Sequence, residues 1–272
     1  MANLFRAFLF KLRHDLAFRI TLIIGIALAV FSALLYLLIG VLVNEKLISG
    51  EMMLISSLSP TQNFGLAIPI NLVVFTIGEF THGSIRNKII AGYSKAKIYA
   101  SLCINGLFFA FSLLLVYVLL CLGLGCLFGG YSGTLVSFLG FGYASDYVPK
   151  LLLIAILSYV SITSFTVFFS ALFRSIGPAI PVVIIVILFA AFAGTIASSF
   201  ADKKALIWVA RIIDPLYAFG AGELLNVGEG QAVKTVQTIT NETLICGCLS
   251  NVAYAIGFFV GGMFLFKKRD VK

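Results

Sequence analysis

Few residues in this chain have the types and spacing that catalysis needs. Its two histidines, His14 and His82, lie beside basic clusters at the ends of apolar segments. Neither a His-rich metal site nor a Ser-His-Asp triad can be assembled between those segments. Of five cysteines, Cys103, Cys121 and Cys126 fall inside one apolar run, and Cys246 and Cys248 open another. Buried thiols behave as small hydrophobes, and Cys246-Gly247-Cys248 lacks the second pair or the histidines of a zinc site. No Gly-x-x-x-x-Gly-Lys-Ser/Thr run is present, so the chain has no ordinary phosphate-cradling loop. What remains is the stretch 78–97, where Glu79 is followed by Gly83, Ile85, Arg86, Lys88, Ile89, Ile90 and Gly92. Isoleucines and cations between two glycines offer an apolar face edged with charge, which is the chemistry of recognition. The glycines would allow sharp turns at each end.

The elements that position this stretch are membrane helices. Apolar residues make up 61% of the sequence and charged ones 11%, against about 25% charged in soluble domains. Six stretches approach or exceed the roughly 20 helical residues that cross a hydrocarbon core: about 17–43, 63–81, 98–128, 149–173, 178–198 and 244–266. Runs such as Val182 to Phe189 are apolar on every face, which excludes the alternating pattern of a membrane β-barrel. The fold class is all-α, a polytopic membrane protein forming one domain over residues 1–272. The N-terminal apolar region continues far beyond a secretory signal's length, so the first span is expected to stay in the mature chain.

Lys and Arg set the orientation. With both termini cytoplasmic, 13 of them lie inside and 6 outside, while 3 acidic residues lie inside and 8 outside. The positive-inside rule favours that arrangement. The net charge of +8 is therefore read as topology, not as a nucleic-acid footprint, which would sit on a soluble face. Residues 2–15 carry Leu4, Phe5, Phe8, Leu9 and Leu12 at helical spacing beside Arg6, Lys11 and Arg13, the pattern of an interfacial basic helix. Residues 44–62 read as a modest loop and 129–148 as a compact turn region. Within 199–243, amphipathic pieces around Trp208 and Tyr217 to Leu225 are too short to cross and read as external helices.

Inside the spans, small hydroxyls at Ser158, Ser161, Thr163, Ser164, Thr166 and Ser170 serve helix packing or a pathway. Asn71 and Asn105 are the stronger pathway candidates, because an amide in hydrocarbon must find partners. Pro69 and Pro181 should kink the second and fifth spans. The spans lack mid-depth charged sets, which argues against an ion pore or a proton-coupled carrier.

The order Glu79, Gly-Ser, basic amphipathic turn, Gly-Tyr-Ser-Lys and long apolar helix resembles the permease subunits of the second ABC exporter type. The resemblance implies an elbow helix at 1–15, a coupling helix at 82–94 that docks on an ATPase, and a helical external piece at 199–243. Glu79 would brace the coupling helix; otherwise it is an interfacial carboxylate paired with Arg86 or Lys88. Two permease copies and two ATPase subunits, the latter binding ATP and Mg, would form the full transporter in a bacterial plasma membrane. The likeness is greatest to small peptide and bacteriocin exporters, so the implied cargo is an amphipathic peptide or lipid-like molecule. Export of a lipid, drug or cation by the same architecture stays open. So do a non-transporting membrane sensor or assembly protein and a secondary transporter, although the broken mid-membrane helices of the last are not read from the sequence.

Overall fold

The computed structural model describes residues 12, 15–43, 48–58, 67–81, 83–130, 141–143, 147–199, 223–227, 234–238 and 241–268. They form α1 (Leu16–Val43), α2 (Gly50–Leu58), α3 (Ala67–Thr81), α4 (Ser84–Ile90), α5 (Lys95–Gly129), β1 (Phe141–Tyr143), α6 (Tyr147–Phe173), α7 (Ile176–Ser199), β2 (Glu223–Val227), β3 (Lys234–Thr238) and α8 (Asn241–Lys268). Four helices are long and apolar enough to cross a membrane, namely Phe18–Ile39 within α1, α5, α6 and Leu244–Lys268 within α8. This is the make-up of a polytopic helical membrane protein. Of the interfacial helix expected at 1–15, only Leu12 and Asp15 fall within the described residues. Asp15 caps α1, its carboxylate accepting the Phe18 N–H at 3.3 Å.

α6 is the interior helix. Its membrane-length stretch is 61% buried, against 17% for α1 and 28% for α8. α8 runs parallel to it: Phe165 lies 5.2 Å from Phe258, and Phe168 packs against both Phe258 and Gly261. α5 runs antiparallel to α6, with Phe111 beside Tyr159 and Gly106 against Thr163. A Cβ on Gly106 would stand 2.9 Å from Thr163 Cγ2 and 3.3 Å from Leu72 Cδ1. Glycine is what lets α3, α5 and α6 meet there. α1 lies along α5 through a row of small or short residues, Thr21, Gly25, Ala29 and Ala33, all buried.

The second span differs from the expected 63–81. Residues 50–58, read from the sequence as loop, form α2, which is packed along α5. The Gly50 N–H donates to the Gly130 carbonyl at 3.0 Å. A Cβ on Gly125 would fall 2.9 Å from Met53 Cβ, and one on Gly129 would overlap the Ile48 carbonyl oxygen. Further down α5, Leu72 meets Gly106 and Phe75 meets Phe109. Nineteen residues separate Met53 from Leu72 and nineteen separate Gly106 from Gly125. α2 and α3 therefore advance along α5 in one register. Residues 59–66, between the two helices, lie outside the described residues. Pro69 is the third residue of α3. The kink expected at Pro69 turns on residues 59–66, which lie outside the described residues. Pro181 does lie inside its helix, α7.

The expected helical reading of 199–243 also changes. Its described residues in the middle of the segment are β2 and β3, paired antiparallel, with β1 joining parallel to β3 in the order β1-β3-β2. Lys234-Thr235-Val236-Gln237-Thr238 holds three β-branched residues in five, a composition that favours strands. Pairing satisfies its backbone groups as well as a helix would. The amphipathic piece around Trp208 lies outside the described residues.

The end of α3, α4, the starts of α5 and α7, and the ends of α6 and α8 share one end of the bundle. Arg86, Lys88, Lys95, Lys97, Arg174, Lys267 and Lys268 lie there, and we call it the basic end. Exposed Ser94 belongs to it, and exposed Asn241 to the other. In a chain freed of its five unpaired cysteines, Ser94→Cys and Asn241→Cys should label with an impermeant thiol reagent from opposite sides of the membrane. Labelling from one side would overturn this arrangement.

Candidate functional site: a clamped helix at the basic end

α4 is held by backbone geometry at both ends. Gly83 is its N-cap, in the left-handed region at φ 67°, and its carbonyl accepts the Asn87 N–H at 3.0 Å. At the other end Gly92 has φ 85°. The Tyr93 N–H donates to the Lys88 carbonyl and the Gly92 N–H to the Ile89 carbonyl, at 3.2 and 2.9 Å. That pair of bonds is a Schellman motif, which needs a residue tolerant of positive φ at the position of Gly92. Ser94 then caps α5, its hydroxyl accepting the Lys97 N–H at 3.4 Å. The turns that the two glycines were expected to allow are thus made by their positive φ values. No atom crowds either one, so conformation alone requires glycine there.

Side chains fasten α4 to the bundle. Lys88 Nζ lies 2.7 Å from Glu79 Oε2, tying α4 back to the last turn of α3. Glu79 is buried and Lys88 nearly so. A carboxylate in that position without a cation would be costly. Ile85 is 1% exposed and joins Tyr99 and Leu102 of α5, Val167 and Ala171 of α6 and Phe266 of α8 in one apolar cluster, against which Ile89 packs. Phe80 meets Phe266 edge to face at 6.1 Å, and Lys95 Nζ donates to the Lys267 carbonyl at 3.4 Å.

The three isoleucines therefore do not form one outward face, as the sequence reading had them. Helical spacing turns Ile85 and Ile89 toward the bundle, while Ile90 is 74% exposed. The face left open to water carries Arg86, Asn87 and Ile90, with Lys97, Lys267 and Lys268 exposed nearby. It is basic, with one apolar residue at its centre. Such a surface can dock on an acidic protein groove that has a pocket for one aliphatic side chain.

The other sequence candidates lie deeper. Asn71 on α3 and Asn105 on α5 directly precede Leu72 and Gly106, which touch each other and Thr163. Ser161 and Thr166 flank that same level of α6. Asn105, Ser161 and Thr166 are buried and Asn71 half-buried. The Thr166 hydroxyl donates to the Ile162 carbonyl at 2.7 Å, in its own helix. These four residues share a level in the packed interior.

Sequence reasoning missed two features. Tyr99 donates to the Phe258 carbonyl at 3.4 Å, and its hydroxyl occupies the place that a side chain on Gly262 would fill. The Gly261-Gly262 pair inside an apolar run was the available signal. Asn251, 1% exposed in α8, donates to the Gly247 carbonyl at 2.8 Å. A lone amide in a span was signal enough.

No family model matches this chain, nor does any curated protein or solved structure.

The clamp makes a testable statement. Glu79→Gln or Lys88→Met should each lower stability by about 1–3 kcal/mol, because each leaves a largely buried charge without its partner. The exchanged pair Glu79→Lys with Lys88→Glu should recover part of that loss. Gly92→Ala should cost about 1–2 kcal/mol through its left-handed backbone alone. Thermal unfolding in detergent reads all four variants.

Proposed function

We propose that the chain is the membrane-spanning subunit of an ATP-driven exporter similar to the second ABC exporter type, with α4 docking on a separate ATPase subunit. One observation carries the reading. α4 is a seven-residue helix fixed rigidly to the ends of α3, α5, α6 and α8, yet it keeps Arg86, Asn87 and Ile90 turned out to water. A loop needed only for its positive charge has no use for a Schellman turn, a buried ion pair and a buried isoleucine. A docking element does, since a partner's movement reaches the spans only through a rigid attachment.

On this reading the membrane is a bacterial plasma membrane crossed six times. α2 with α3 makes the second crossing, α7 the fifth, and the basic end faces the cytoplasm with both termini. Two such chains and two ATPase subunits form the transporter, and the ATPases hold ATP and Mg. The cargo is an amphipathic peptide or a lipid-like molecule, which the aliphatic and aromatic walls between the spans accept without buried charge.

The test separates docking from folding. Arg86→Asp combined with Ile90→Asp should abolish copurification with a co-expressed ABC ATPase subunit, a loss of a few kcal/mol at a hot spot. It should leave the chain's own unfolding unchanged, because both side chains are exposed. Ile85→Asp should instead lower the chain's stability. If the double variant retains the ATPase at full yield, the docking assignment is wrong. In lipid vesicles, cationic amphipathic peptides should stimulate ATP hydrolysis by the complex, and Asn71→Leu or Asn105→Leu should alter that stimulation. Stimulation by simple cations alone would move the reading to cation export.

A further inference from the structure

We infer that the seam between α6 and α8 holds a water molecule at membrane depth, gripped by the Ser158 hydroxyl and the side-chain carbonyl of Asn251. Such a site belongs to the bundle whether or not the chain transports.

The two side chains stand at one level. α6 and α8 run parallel, and Phe165 beside Phe258 and Phe168 beside Gly261 are both pairs 93 residues apart. Ser158 and Asn251 have the same separation. Leu151, Ala155, Ser158, Ile162 and Phe165 follow the three- and four-residue spacing of a single helix face, and so do Leu244, Cys248 and Asn251. Leu151, Ala155 and Ile162 pack in one cluster with Leu244 and Cys248. Both polar side chains are therefore centred on the faces that meet, Ser158 wholly buried and Asn251 1% exposed.

Their hydrogen bonding is incomplete. Among the described residues, neither Ser158 Oγ nor Asn251 Oδ1 has a partner. Thr166 and Ser170 satisfy their hydroxyls on carbonyls of their own helix, which Ser158 does not do. The Asn251 amide is held in place, because its Nδ2 donates to the Gly247 carbonyl at 2.8 Å. Swinging Oδ1 onto Ser158 would break that bond. Sliding α8 along α6 is opposed from both sides. Toward the far end, β1 and β3 lead into α6 and α8 and are paired in parallel, Phe141 opposite Thr235. Toward the basic end, Phe168 packs on Phe258 and Gly261. An amide oxygen and a hydroxyl left apart in apolar surroundings are costly. Water relieves both at once, giving one O–H to Asn251 Oδ1 and accepting the Ser158 O–H. Both residues are neutral, so the pair suits a neutral guest and not an ion.

The test uses the full chain in lipid bilayers with isotope-labelled asparagine side chains, and solid-state NMR to follow magnetisation passing from water to each amide. The signal lost in Asn251→Leu identifies Asn251. Its transfer from water is expected to match that of exposed Asn241, although Asn251 is buried. Ser158→Val fills the water's place and removes one of its partners, so the transfer should be lost. Ser158→Ala, should the bulkier variant fail to insert, removes the partner alone and should weaken the transfer severalfold. Two outcomes overturn the inference. In one, Asn251 of the unaltered chain receives nothing from water, which would mean a dry seam or a direct bond to Ser158. In the other, the transfer is the same in the Ser158 variants, which would bring water to Asn251 from elsewhere.

Discussion

Helices in hydrocarbon gain little from hiding apolar side chains, because lipid tails are as apolar as leucine, so they associate where backbones can approach closely. Several junctions in this bundle obey that constraint. Gly106 lets α5 meet Thr163 of α6 and Leu72 of α3, Gly262 makes room for Tyr99, and Gly125 and Gly129 receive α2. Thr21, Gly25, Ala29 and Ala33 bring α1 onto α5. The hydroxyl row of α6 belongs to the same scheme. Ser170 and Thr166 donate to carbonyls one turn earlier, so these two hydroxyls need no partners on neighbouring helices. The α4 site exists because this packing brings the ends of α3, α5, α6 and α8 together.

At that end the chemistry changes from packing to charge. Glu79 ends a helix at a depth where its carboxylate is buried, and Lys88 reaches back nine residues to meet it. The pair neutralises itself, leaving the outward charge to Arg86, Lys97, Lys267 and Lys268, all exposed. Ile85 transmits position as well as stability, since one side chain touches a cluster drawn from three spans. A force applied to α4 therefore acts on several helices at once. A flexible basic loop would dissipate it.

α3 packs with α6 and α7 and meets α5 through Leu72 and Phe75, whereas α2 packs mainly on α5, and Ile68 of α3 shares a cluster with Met53 of α2. Short helices at membrane depth are tolerated where protein surrounds them. α2, packed on α5 and α6, meets that condition.

Composition alone dictated a helical membrane protein, because runs such as Val182 to Phe189 have no polar face with which to form anything else. Local chemistry made the α4 turns legible, since positive φ at Gly83 and Gly92 is a property of single residues. The charge asymmetry that marks the basic end could likewise be counted along the chain. Other features depended on what came to lie opposite. Ile85 and Ile90 are the same residue five positions apart, and only the neighbours supplied by α5, α6 and α8 decide that one is buried and the other open. Glu79 had two cations within reach, and the helical turn of α4 chose Lys88. Gly-Glu-Met-Met-Leu-Ile-Ser-Ser-Leu reads as a loop because its apolar run is too short to cross. It becomes a buried helix because Gly125 and Gly129, more than sixty residues away, leave a seam for it. Periodicity and composition act along the chain, whereas burial depends on partners distant in sequence, and the packing of small residues at the helix junctions supplies those partners.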